Sequence, residues 1–423
     1  MQISKDDHLA LEILSARATE LVSRAVAWCH INSGSHNRDG LIRVREALEA
    51  AFSVLPGTVE RRRLNPTENV LDNGQLSQQA YEDALLITVR PDAPVQVILT
   101  GHYDTVFPAT SAFQQVVTRE DGALNGPGIA DMKGGISVML AALETLEQHP
   151  LKHQVGYRVL LSPDEEIGSP GSAAVLAEIG RLGHVGLTYE PALEDGALAS
   201  SRKGSANFHV IVHGKSAHAG RDFASGRNAV AAAADLAVRL HALNGHREGV
   251  TLNIGAISGG GPLNVVPDTA IVRFNIRVPD QASADWSVAE VNRICRAPAF
   301  DGIHTHIHGG FTRPPKPFDP GQQALFAAIR DVGDLLGQTI HWKPSGGVCE
   351  GNNLYAVGLP NADSLGVRGG LIHSDQEFAW PDSFVERARL SALILMKLAS
   401  GEIAARDIQA KLASFSSASQ ADL

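Results

Sequence analysis

Apolar residues recur at helical spacing near the start of the chain, first as Leu9, Leu11, Leu14, Ala18, Leu21, Val22 and Ala25, then from Leu41 to Phe52. That period predicts helix over roughly residues 8 to 54. Further along the texture changes to near-continuous apolar runs that end in polar or glycine-rich turns. Val95–Thr100, Tyr157–Leu161, His184–Tyr189 and Ala362–Val367 are the clearest. Runs of this kind predict strands buried on both faces. Between the first two, Ile136, Met139, Leu140, Leu143 and Leu146 mark the apolar face of a helix over Gly134–Gln148. Strands alternating with helices predict an α/β layer architecture.

Residues 203–312 follow a different order. Phe208, Val210 and Val212 alternate within Ala206–Lys215, and Ala229–Leu243 reads as an alanine-rich helix. Strands follow at Thr251–Ser258 and Thr269–Val278, then a helix at Val288–Cys295 and an alternating strand at Ile303–Phe311. Strand, helix, strand, strand, helix, strand is the ferredoxin-like order. The expectation is one α/β domain built from residues 1–202 and 313–423, a mixed sheet flanked by helices, with 203–312 inserted as a smaller α+β domain. Arg313–Pro317 is proline-rich and reads as the return linker. A polar tail from Ser414 reads as frayed.

Composition narrows the function classes. A chain of 423 residues exceeds one ordinary domain. Its net charge is −10 and its basic residues form no long runs, which argues against nucleic acid as a partner. No stretch approaches the ~18 apolar residues of a membrane helix, and the first residues lack a signal-peptide core. Cys29, Cys295 and Cys349 are odd in number and far apart, so neither a disulfide framework nor a metal knuckle is expected. A cytoplasmic enzyme with reduced thiols fits.

Polar residues gather at the carboxyl ends of the expected strands, where open α/β sheets bind ligands. The segments are Gly101–Val106, Ser162–Gly168 and Thr188–Pro191, with Asn125–Gly135 opening the helix and Val367–Ser374 coming later. A pocket there would be lined by His102, Asp104, Asp131, Glu165, Glu166, Glu190 and His373. Five carboxylates in one crevice are unstable without cations. Histidine with carboxylate and no thiolate suits zinc at a hydrolytic site. Two such ions need a bridging carboxylate and can hold a water between them. His304, His306 and His308 alternate on one face of a strand and read as surface. Neither Gly126–Gly128 nor Gly259–Gly261 is followed by the residues a phosphate loop requires.

These segments, in this order, resemble the zinc-dependent carboxypeptidase and deacylase family that includes glutamate carboxypeptidase, acetylornithine deacetylase, succinyl-diaminopimelate desuccinylase and aminoacylase. The resemblance covers nearly the whole chain and implies a zinc-peptidase-like domain with a dimerisation lid. Carried over residue by residue, Asp131 would bridge two Zn2+ ions, for which Co2+ or Mn2+ can substitute. His102 and Glu190 would complete one ion, and Glu166 and His373 the other. Asp104 would orient His102, and Glu165 would be the general base. A cis peptide would follow Asp131.

His218, in Lys215–Gly220, would reach into the partner subunit of a homodimer and stabilise the oxyanion there. Asn264 and Arg277 would hold the free carboxylate of an N-acyl amino acid or peptide. Gly346 and Gly347 would face the substrate, with Cys349 a small residue of the pocket wall. The residues after those glycines depart from the carboxypeptidase pattern, and Glu350 would repel an acidic side chain if it pointed inward. Glutamate carboxypeptidase is the nearest pattern, and a biosynthetic deacylase of the acetylornithine or succinyl-diaminopimelate kind is the alternative. A third reading is a catalytically inactive metal-binding protein. Retention of Glu165 and Asp104, neither of them a metal ligand, argues against it.

Overall fold

The computed structural model describes residues 1–421. Its main sheet has six strands in the order Thr58–Arg62, Ala84–Val89, Val155–Ser162, Val95–His102, Val185–Thr188 and Asn361–Ala362. The first two junctions are antiparallel and the other three parallel, so the sheet is mixed. Leu85, Ile87, Val97, Leu99, Val159 and Leu161 face one side, where helices Gly135–Gln148 and Pro381–Ser400 complete the larger core. Leu86, Ile98 and Leu160 face the other, against Val175, Leu176, Ile179 and Leu354. Covering on both faces is why the central strands lack a polar alternation.

The amino-terminal block is three helices, Lys5–Ser15, Ala18–Cys29 and Arg38–Phe52. A capping box of Ser4 and Asp7 starts the first, and the Asn37 side chain starts the third by accepting from Gly40 N. The Ala362–Val367 run is strand only at Asn361–Ala362, and the chain then turns towards the polar segment that follows. Ser414 lies within helix Ala405–Ala421, so the expected frayed tail is corrected there. Ile408 and Leu412 are buried and anchor that helix.

A second core lies within residues 206–303. Strands Thr251–Gly259, Thr269–Val278, Gly204–His213 and His304–Arg313 form an antiparallel sheet in that spatial order. Helices Ala229–His241 and Gln281–Arg296 supply the rest of its apolar interior. The second helix begins earlier than its apolar pattern predicts because Asp280 caps it, accepting from Ser283 N at 2.7 Å.

Two features join this smaller unit to the main body. Arg202 and Lys316, on the two crossing segments, exchange backbone hydrogen bonds of 2.9 and 3.0 Å, and both bond the buried carboxylate of Asp363. The other is a ribbon between Thr58–Arg62 and Ala84–Val89. Those strands pair directly, yet the chain between them extends into strands Thr67–Val70 and Leu76–Gln79. The ribbon lies on the smaller sheet, with Val70 packed on Ile211 and Ile271, Asp72 on Arg273 at 2.9 Å and Glu68 on His308 at 3.2 Å. His304 and His306 are exposed, whereas His308 is half-buried beneath the ribbon. No described helix is long and apolar enough to cross a membrane.

Candidate active site

The parallel strands end on one rim, and the acidic residues are delivered there. His102 is the last residue of its strand, Glu165 and Glu166 occupy the turn after Ser162, and Glu190 follows Thr188 by two residues. Asp131 sits in an irregular turn, Ile129–Gly134, that leads into helix Gly135–Gln148. The Asp131–Met132 peptide is cis. Gly135 is required by packing, since a Cβ there would stand 2.0 Å from the Tyr189 carbonyl oxygen. That close approach brings Asp131 over the end of the Glu190 strand.

Two groups of potential ligands share Asp131: His102, Asp131 and Glu190 in one, Asp131, Glu166 and His373 in the other. The Asp131 carboxylate divides between them, Oδ1 lying 3.0 Å from His102 Nε2 and Oδ2 3.3 Å from His373 Nε2. His373 Nε2 is also 3.1 Å from Glu166 Oε2, and His102 Nε2 is 3.9 Å from Glu190 Oε2. All five residues that the sequence resemblance assigns to metal therefore meet at one place.

Asp104 does not act through its carboxylate alone. His102 Nδ1 hydrogen-bonds the Asp104 backbone oxygen at 3.1 Å, with Oδ1 slightly farther at 3.4 Å. The carboxylate itself accepts from Glu165 N at 3.1 Å, Glu166 N at 3.2 Å and Ser35 Oγ at 2.8 Å. Asp104 thus braces the turn that carries both glutamates.

Glu165 has a partner that sequence reasoning missed. Arg313 is buried and bonds the Glu165 carboxylate through Nη1, with Nη2 reaching the Glu165 carbonyl and Ser169 Oγ, each at 2.8 Å. Arg313 reads in sequence as part of a linker, and no local pattern shows a contact to a residue 148 positions away.

The charge balance is short of cations. Burial raises Glu166 and Glu190 above the usual carboxylate range, and the Asp131 charge adds to both shifts. Burial opposes protonation of His102, but Asp104, Asp131 and Glu190 outweigh it and hold that imidazole well above its ordinary value. Asp131 and Glu166 raise His373 to about 10. Glu190 Oε1 is buried with no hydrogen-bond partner. A carboxylate-rich cluster with an unsatisfied oxygen fits a divalent cation better than it fits a closed hydrogen-bond network.

The groups open onto a cavity of ≈ 880 Å³, lined also by Arg202, Asn275, Arg277, Gly346, Gly347 and Val348. Arg277 Nε donates to Asn275 Oδ1 at 2.9 Å, while its buried Nη1 has no hydrogen-bond partner. Four sequence-based candidates stand elsewhere. His218 and Asn264 are exposed neighbours on the smaller unit, joined by Ala219 N donating to the Asn264 carbonyl at 2.9 Å, and neither lines the cavity. Glu350 does not point inward. It is buried, bonds Ser162 Oγ at 2.5 Å and is not part of the cavity wall. Cys349 is likewise no wall residue, because it caps helix Glu350–Ala356 with its sulfur turned inward.

A family model described as peptidase family M20/M25/M40 matches residues 98–397. Carboxypeptidase G2 of Pseudomonas sp. (strain RS-16) is 24% identical over 408 residues, covering 94% of each chain. Succinyl-diaminopimelate desuccinylase of Gluconobacter oxydans (strain 621H) is 35% identical over 298 residues, covering 66% of this chain and 74% of that one. Among solved structures, a tripeptidase from Staphylococcus aureus superposes with a TM-score of 0.69 at 21% identity, covering 90% of this chain and 99% of the other. Human carnosine dipeptidase 1 gives 0.64 at 17% identity, covering 93% and 99%.

Proposed function

Because this chain belongs to peptidase family M20/M25/M40, whose members are metal-dependent hydrolases of amide bonds, we propose that it releases an amino acid from an N-acyl amino acid or peptide by cutting beside a free carboxylate. One observation carries the reading. Asp131, which divides its two oxygens between His102 and His373, lines the same cavity as Arg277.

In this reading His102, Asp131 and Glu190 hold one divalent cation and Asp131, Glu166 and His373 a second, zinc being the natural choice for such donors. When bound, the pair supplies charge neutralisation and Lewis acidity for the carbonyl and the water. Glu165 does the proton work. It takes a proton from the attacking water and returns it to the amine nitrogen as the C–N bond breaks. Arg313 holds the Glu165 carboxylate in one orientation for both transfers. Arg277 receives the substrate carboxylate, a task suited to a planar guanidinium. Gly346 and Gly347 leave room for the substrate beside Arg202.

The domain plan belongs to the same reading, with 1–202 and 313–423 as the catalytic part and 203–312 as a dimerisation lid. His218 and Asn264 sit outside the cavity of their own chain, which fits service in the cavity of a second copy. Three buried, unpaired cysteines suit a reducing, cytoplasmic setting. The 35% identity to a desuccinylase keeps that biosynthetic deacylase as the second reading.

The test is amino acid release by the zinc-loaded protein from benzoyl-glutamate, acetyl-ornithine, succinyl-diaminopimelate, acyl-hydrophobic amino acids and dipeptides, each repeated after chelation. Chelator-sensitive release from one class is the expected result and names the substrate. No release from any of them by protein carrying its full metal complement would sink the proposal.

A further inference from the structure

Glu377 lies four residues beyond His373 and belongs to neither ligand group. Its side chain is fully buried, at 0% exposure. The carboxylate accepts three backbone amides: Gly128 N on Oε2 at 3.1 Å, and Ala130 N and Asp131 N on Oε1, both at 3.0 Å. Its main chain is tied to the same segment. The Glu377 carbonyl accepts from Gly126 N at 3.2 Å and Asn125 Nδ2 at 2.7 Å, and Phe378 and Ala379 pair with Asn125 and Leu124. One residue therefore stitches the loop that carries Asp131 to the loop that carries His373.

The need for such an anchor follows from the local backbone. Gly128 has a φ of +73°, and Asp131 and Met132 depart from helical angles, so this turn cannot satisfy its amides from within. The two oxygens of a carboxylate offer acceptor positions to all three N–H groups of this cradle. Glutamine of the same size would set an NH2 group against at least one of them. The consequence reaches the ligands because Asp131 aims one oxygen at each imidazole. A small rotation of its backbone brings one oxygen nearer and takes the other away.

We propose that Glu377 is a positioning residue for Asp131, setting the aim of that carboxylate between the two ligand groups and so the strength with which they hold divalent cations. The inference rests on the reading of Asp131 as the shared ligand. Outer residues that orient ligands typically change metal affinity by about 10–100-fold when replaced.

Full-length metal-free protein titrated with Co2+ alone, followed by the visible absorption of bound cobalt, tests this. Wild type, Glu377→Gln and Glu377→Asp are compared, with circular dichroism to check the fold. The expected result is two cobalt ions per wild-type chain. Glu377→Gln should bind at least one of them about 10–100-fold more weakly with displaced absorption bands, and kcat should fall while KM holds. Glu377→Asp, which keeps the charge but retracts it by one methylene, should fall between. A folded Glu377→Gln with wild-type cobalt affinity and spectrum would overturn the proposal whatever its melting temperature, leaving Glu377 a staple of the fold. Should Glu377→Gln not fold, Glu377→Asp is judged by the same criterion. Wild-type protein that takes up no cobalt would overturn the reading of the site itself, and this inference with it.

Discussion

Glu165 and Glu166 are adjacent in sequence and opposite in surroundings. Glu166 faces His373 and shares its group with Asp131, whereas Glu165 turns to Arg313. Glu165→Gln should therefore lower kcat by roughly 10²–10⁴-fold, the usual reach of a general acid–base group, while metal content measured by elemental analysis stays at the wild-type level. Loss of metal in that variant would mean that Glu165, too, is a ligand. Arg277→Ala should raise KM for N-acyl amino acids by the equivalent of about 1.5–3 kcal/mol, the worth of a hydrogen bond to a charged group, with a smaller effect on substrates amidated at that carboxylate. An equal change for both substrate forms would remove Arg277 from carboxylate recognition. At this scale the proposed ligand residues are legible because each is a histidine or acid at a strand end or helix start. Arg313 and Glu377 are not. Their roles arise from contacts between segments far apart in the chain, and neither sits in a pattern that sequence alone assigns to chemistry.

The elements read well where burial is uniform and poorly where capping or tertiary contact decides. Thr269–Val278 and Gly135–Gln148 emerge from periodicity almost residue for residue. The start of helix Gln281–Arg296 depends on the Asp280 cap, which lies outside any apolar pattern. The ribbon Thr67–Gln79 is largely polar and carries no strand signature of its own. The crossing segments illustrate what such contacts are worth. Burial alone would raise the Asp363 carboxyl, but Arg202 and Lys316 outweigh it and hold the group below the usual carboxylate range. A group depressed in the folded state lends stability that is present above its unfolded value. That stability is lost as pH falls through the folded one, so the loss should begin below about pH 4. Asp363→Asn would leave two buried cations facing a neutral amide, at a cost of about 3–5 kcal/mol. Urea unfolding from neutral to acid pH checks both points. Wild type should weaken below about pH 4, and the variant should be weaker throughout with a flatter acid limb. Parallel acid limbs would show that Asp363 is not the group responsible.

Across the whole molecule two hydrophobic cores are joined by the Arg202–Lys316 crossing and by the ribbon on the smaller sheet. The crossing alone resembles a pair of strings, free to twist about their own direction. The ribbon adds contact well away from that axis, through Val70, Asp72 and Glu68, and so resists rotation of residues 204–313 against the main body. Its apolar part dominates. Val70, Ile211 and Ile271 are buried together, whereas Glu68 and Asp72 are largely exposed and their ion pairs contribute only ~0–1 kcal/mol each. Val70→Asp would bring a carboxylate against two isoleucines, and releasing the ribbon is the less costly response because its strands pair mainly with each other. The expected outcome is faster proteolysis within residues 67–79 and faster amide exchange along Ile211 and Ile271. Far-ultraviolet circular dichroism and cobalt uptake should not change, since the ribbon, although it leaves the sheet at the rim that carries the proposed ligand residues, contributes none of them. Glu68→Gln should leave all of these nearly as they are. If Val70→Asp speeds neither proteolysis within residues 67–79 nor amide exchange along Ile211 and Ile271, the ribbon is a passenger, and the two crossing segments alone hold the units in place.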